Sequence, residues 1–138
     1  MWKLYAVLSA LFAALTAICA KIGIRDVNSN LATAIRTAII LLLAWGIVFF
    51  SGHANEVKSL SPRTWIFLIL SGVATGLSWL FYFKAIQIGD VSRVAPVDKL
   101  SVVLTILLSF FILKEEVSVR VLIGGGLIFI GCLVLLVK

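Results

Sequence analysis

Residues 94–116 read VAPVDKLSVVLTILLSFFILKEE. A proline and then two adjacent opposite charges, Asp98 and Lys99, precede a long apolar run, and the medium around that run decides what the charges do. Leu100 to Leu113 is uncharged, and as a helix those residues cover only about 21 Å of a hydrocarbon core about 30 Å thick. If this segment crosses a bilayer, it must start near Val91 and carry both charges to hydrocarbon depth.

The composition says that it does cross. Of 138 residues, 62% are hydrophobic and 13% charged, and the mean hydropathy is +1.20. No soluble domain can solvate such a surface. Five apolar runs follow one another: Leu4 to Ala20, Leu31 to Phe50, Thr64 to Phe83, Val91 to Leu113 and Val121 to Val137. The expected fold is therefore all-α, a polytopic membrane protein built as a bundle of five transmembrane helices in the lipid bilayer. The joins RDVNSN, SGHANEVKSLSPR, QIGD and KEEVS leave no room for a soluble domain between spans, and Ser61-Pro62 has the form of a helix start. The first run has the look of a cleaved leader, but with four more behind it the expectation is a first span.

The net charge of +6 does not indicate nucleic acid, because the Lys and Arg residues stand at the ends of apolar runs and form no patch. Cys19 and Cys132 lie inside spans without CxxC spacing, and His53 is the single histidine. They read as small buried hydrophobes, with no disulfide framework, metal site or cofactor implied. No constellation for nucleophilic or acid–base catalysis is present either, so an enzyme is not expected.

Segment two repeats the problem of segment four, since Thr37 to Phe50 is also too short to cross alone. Counting back from the two span ends places Arg36, Lys99 and Asp98 at one level, roughly 8 to 9 Å below the opposite surface. Charged residues at that depth face a bundle interior and pair, so they are functional candidates by default. At about 100° per residue, Ser101, Thr105 and Ser109 share the face of Asp98, and Ser71, Thr75, Ser78 and Tyr82 share a face of segment three flanked by Gly72, Gly76 and Trp79. The candidate solute or coupling residues are thus Asp98, Arg36, Lys99, Tyr82, Trp79, Ser101 and Thr105. Arg36 or Lys84 is the expected ion-pair partner of Asp98 if the pair is structural. Pro96 stands too close to the segment start to be assigned as a hinge. Gly72 and Gly76, and Gly124 above Gly131, offer close helix approach, within the chain or at a dimer seam.

From segment three onward the sequence GLSWLFYFKAIQIGDVSRVAPVDKLSVVLTILLSFFILKEEVSVRVLIGGGLIFIG resembles the EamA domain of the drug/metabolite transporter superfamily. The features that carry it are Lys84-Ala85-Ile86 at the end of span three, Pro96 early in span four, Leu113-Lys114-Glu115 at its end, and Ser118 with Gly124 and Gly131 in span five. Lys114 stands where the family has glycine. The resemblance implies one EamA-like transmembrane domain over 1–138, half the size of the usual two-half chain, moving a small metabolite or drug. It further implies a homodimer, parallel or antiparallel, with alternating access at the interface of the halves, and a cell inner membrane location. The alternative is a non-transporting subunit of a lipid-linked-intermediate flippase or assembly complex. Lys3, Lys58, Arg63, Lys114 and Arg120 face Lys21, Arg25, Arg93 and Lys138, with Lys84 and Lys99, across the membrane, a balance with no decisive positive-inside bias.

Overall fold

The computed structural model describes residues 1–137; Lys138, one of the flanking cations, lies outside the described residues. Among those described, six α-helices make five spans: α1 (Trp2–Gly23), α2 (Ser29–Phe50), α3 (Pro62–Ile88), α4 (Val91–Asp98) continued by α5 (Leu100–Leu108), and α6 (Val119–Leu136). There is no strand among the described residues. Large apolar side chains stand exposed along every span, from Trp2 and Phe12 through Phe67 and Phe81 to Leu127 and Val134. Their natural solvent is lipid, as the composition requires.

The helices are longer than the apolar runs because polar residues supply the ends. Asn28 caps α2, its Oδ1 accepting from the backbone N–H groups of Asn30 and Leu31. Ser61 caps α3 as expected, its Oγ accepting from Thr64 N–H while Pro62 occupies the first helical position. At about 1.5 Å per residue, the 27 residues of α3 reach about 40 Å, longer than a hydrocarbon core of about 30 Å.

The described residues form two compact units, one of residues 19–87 and one of residues 1–18 with 88–137. In the first unit, the end of α3 is tied to the turn between α1 and α2. Gln87 Nε2 donates to the carbonyls of Ile24 and Val27 at 3.2 and 2.8 Å, and Lys21 Nζ donates to Ile86 O at 2.7 Å. Ile24, Phe83 and Ile86 are buried beneath these bonds.

In the second unit, α6 packs on α4 and α5. The fourth span is not one helix. Pro96 lacks the N–H that would bond Ser92 O, and three residues later α4 ends at Lys99, whose N–H turns to the carbonyls of Pro96 and Val97. Pro96 therefore does interrupt its span despite standing near the start. Cys132 is buried, and its thiol donates to the same Pro96 carbonyl at 3.1 Å. Cys19, expected to be buried too, is exposed on α1.

A Cβ at Gly72, Gly76, Gly124 or Gly131 would meet nothing within 4 Å among the described residues, so none of the four shows a close helix approach there. The glycine that does is Gly125, buried, where a Cβ would stand 2.8 Å from Ile106 Cδ1 of α5. The run Gly124-Gly125-Gly126 covers most of the helix circumference, and only the placement of α5 selects its middle member.

After α5 the chain makes a wide turn over Ser109–Leu113 and ends it at Lys114 with φ 55°, the one non-glycine residue with positive φ among those described. The N–H groups of Lys114 and Glu115 both donate to Ser109 O. A left-handed position favours glycine because a Cβ there crowds the following carbonyl. This explains why the family pattern has glycine where this chain has lysine.

Substitutions at both kinds of position have opposite expected signs. Lys114→Gly should raise stability by about 1 kcal/mol, and Lys114→Val should lower it, read as melting temperatures in detergent. Gly125→Leu should cost about 1–3 kcal/mol by overpacking against Ile106, while Gly126→Leu, with open space around it, should melt like the parent.

Candidate functional site

Trp79, Phe83 and Gln87 stand four residues apart on α3 and so share one stripe. Gln87 serves the carbonyls of the turn, whereas Trp79 and Phe83 receive Arg36 from α2. The guanidinium carbon lies 4.2 Å from the Phe83 ring centroid and 5.1 Å from that of Trp79. Arg36 is seven residues from Ser29, about 10 Å along α2, and the two rings lie about 8 and 13 Å from the end of α3.

The cation is half-buried and its Nη1 is wholly so. That nitrogen donates to no acceptor among the described residues. The hydroxyls along α2 do not supply one, because Thr33 Oγ1 donates to Ser29 O and Thr37 Oγ1 to Thr33 O within their own helix. Cation–π attraction offsets part of the desolvation of a guanidinium, but ring faces satisfy none of its in-plane N–H directions. Arg36 is thus positioned, partly dry and chemically unsaturated.

The Asp98 region is arranged otherwise. Asp98 Oδ2 is 3.5 Å from Lys99 Nζ, with 36% and 54% of the respective side chains exposed. The residue expected to pair with Arg36 or Lys84 therefore has its ion pair with its own neighbour. Lys84 Nζ donates to Gln87 Oε1 at 3.3 Å, in the last turn of α3. At Lys99 the backbone stays in the right-handed helical region, φ −70° and ψ −3°, and Val102 N–H donates to Lys99 O as α5 begins. Thr105 Oγ1 donates to Ser101 O, and Ser109 Oγ to Ile106 O, so both hydroxyl protons are engaged within the span.

On α3, Thr75 Oγ1 likewise donates to Ser71 O. Ser71, Thr75 and Ser78 are exposed, and Tyr82 is half-buried one residue before Phe83. Of the residues singled out from sequence, Arg36 and Trp79 come together. Phe83 joins them and was missed, although its i+4 spacing from Trp79 is a visible signal.

The sequence model of the EamA-like transporter family matches residues 1–137. The chain belongs to that family. This EamA-like chain is 46% identical over 136 residues to a protein named "Uncharacterized transporter in cobO 3'region" from Sinorhizobium sp, with 99% of the chain and 96% of that protein covered. It is 28% identical over 90 residues to "Uncharacterized transporter YojE" of Bacillus subtilis (strain 168), covering 65% of this chain and 30% of that one. No solved structure matches it. With five helices able to span a bilayer, the EamA-like chain is an integral membrane protein and a transporter of the drug/metabolite type.

Replacing the buried cation tests whether it is structural. Because removing a poorly compensated charge in favour of an apolar side chain of similar length relieves desolvation, Arg36→Met should melt at or above the parent temperature. A loss of several degrees would mean that the stacked cation holds α2 to α3.

Proposed function

We propose that the protein carries a small solute across the cell inner membrane by alternating access, as a homodimer whose two copies are inverted relative to each other. The observation that carries this reading is Arg36, a cation at membrane depth held against Trp79 and Phe83 with a buried N–H that no group among the described residues accepts. A packing element would be satisfied; a binding element has bonding capacity left over. Five spans put the two ends of the chain on opposite sides, so an inverted repeat must come from a second copy, as in carriers built of inverted halves. The near balance of flanking Lys and Arg permits both insertions. Gly72 and Gly76 on α3, and Gly124 and Gly131 on α6, have open space above them and suit the seam between copies. Asp98, with Lys99 beside it, is the candidate group for proton coupling.

The test is purified protein alone in proteoliposomes, assayed for counterflow against a panel of labelled metabolites. Uptake is expected, and Asp98→Asn is expected to melt like the parent while losing uptake or its pH dependence. A stable Asp98→Asn protein with full activity and an unchanged pH response removes Asp98 from the mechanism. Folded protein that moves nothing in the panel supports the non-transporting subunit instead. A C-terminal reporter should be active on both sides of the membrane; activity on one side alone excludes the inverted pair.

A further inference from the structure

We infer that Arg36, stacked on Trp79 and Phe83, binds the carboxylate of a singly charged organic anion, the solute class that the transporter reading leaves open. This rests on that reading for its biological role, but the site is argued from its own chemistry. A guanidinium is planar, and stacking on aromatic faces fixes its plane while leaving the N–H edge directed away from the rings. Two parallel N–H groups along that edge match the two oxygens of a carboxylate, giving paired charge-assisted hydrogen bonds. Nη1 has no acceptor among the described residues and is enclosed by protein atoms, so an oxyanion reaches it only as the half-buried guanidinium turns outward, and then gains bonds without displacing an existing partner.

The charge of the ligand follows from the cations at hand. Lys84 Nζ is bonded to Gln87 Oε1 and Lys21 Nζ to Ile86 O, both at the end of α3 beyond the rings. Both keep their charge but bond elsewhere, and the cation set against the Trp79 and Phe83 rings is the single guanidinium of Arg36, which suits a monoanion better than a doubly charged phosphate. The phosphodiester of an anionic lipid is a monoanionic oxyanion too. Depth favours the solute, since Arg36 stands about 10 Å along α2 from its start and a headgroup would have to descend to it.

The experiment measures thermal unfolding in neutral detergent at constant pH and ionic strength, with acetate, pyruvate and benzoate as probes and acetamide and benzamide as neutral counterparts. Ligand that binds the folded state raises its melting temperature by mass action. The carboxylates should raise it in a saturable way and the amides should not. Arg36→Gln should abolish the response. Arg36→Lys, which keeps the charge but lacks the planar fork, should need roughly 10-fold or more carboxylate for the same shift. Equal responses to acids and amides, or an undiminished response in Arg36→Gln, would overturn the inference. So would a response to phosphatidylglycerol and to no soluble acid, which assigns the site to headgroups. A parent protein that is silent while Asp98→Asn responds would overturn it as well, because Asp98 would then be the acceptor. Carboxylate binding without counterflow in proteoliposomes would leave the site standing and remove the transporter reading. Counterflow of a neutral solute without carboxylate binding would do the reverse.

Discussion

Inside hydrocarbon a backbone N–H or C=O has no partner except the chain itself, and each unsatisfied group costs several kcal/mol. That constraint makes every span helical and lets the outward surface be as apolar as lipid. It also governs the departures from regular helix. Where Pro96 and the break at Lys99 interrupt the ladder, Pro96 O collects both the Lys99 N–H and the Cys132 thiol. Where the chain unwinds after α5, Ser109 O takes two donors, from Lys114 and Glu115. Each irregularity comes with substitute bonds close by in sequence or from the helix packed against it.

Arg36 is the counterexample, and its value lies in that contrast. The stripe on α3 treats its polar neighbours in two ways, closing the bonds around Gln87 and leaving the guanidinium above Trp79 and Phe83 with capacity unused. The closed end fixes the turn between α1 and α2 to α3, so the level at which Arg36 meets the rings is set by bonds that stay out of the site. Rigid support beside an unsatisfied group is what a binding element requires.

The number and class of the elements were legible in the sequence because hydropathy and span length act residue by residue. Ser61 as a helix cap was legible too, from the Ser-Pro pair that opens α3. What could not be read was anything that depends on which face meets which. Gly125 is indistinguishable from Gly124 until α5 is placed against α6. The junction at Lys99 between α4 and α5 left no mark in the hydropathy of the span. Phe83 was passed over because an apolar ring in an apolar span carries no local signal, only a spacing from Trp79. Lys114 could be marked as departing from the family pattern, but its reason is a dihedral angle.

The unequal lengths of the helices have a consequence for the membrane itself. At about 1.5 Å per residue, α3 is about 40 Å long and α6, of 18 residues, about 27 Å, so no single bilayer thickness suits both. A mismatch costs fractions of a kcal/mol per Å and is relieved by tilt, local thinning or emergence of a polar end. One end of α3 carries Lys84, Gln87 and the turn bonded to it. Thickening the bilayer draws those groups toward hydrocarbon, and thinning it sets them in water, so the lipid composition around the protein acts as a mechanical variable on the helix that holds Trp79 and Phe83.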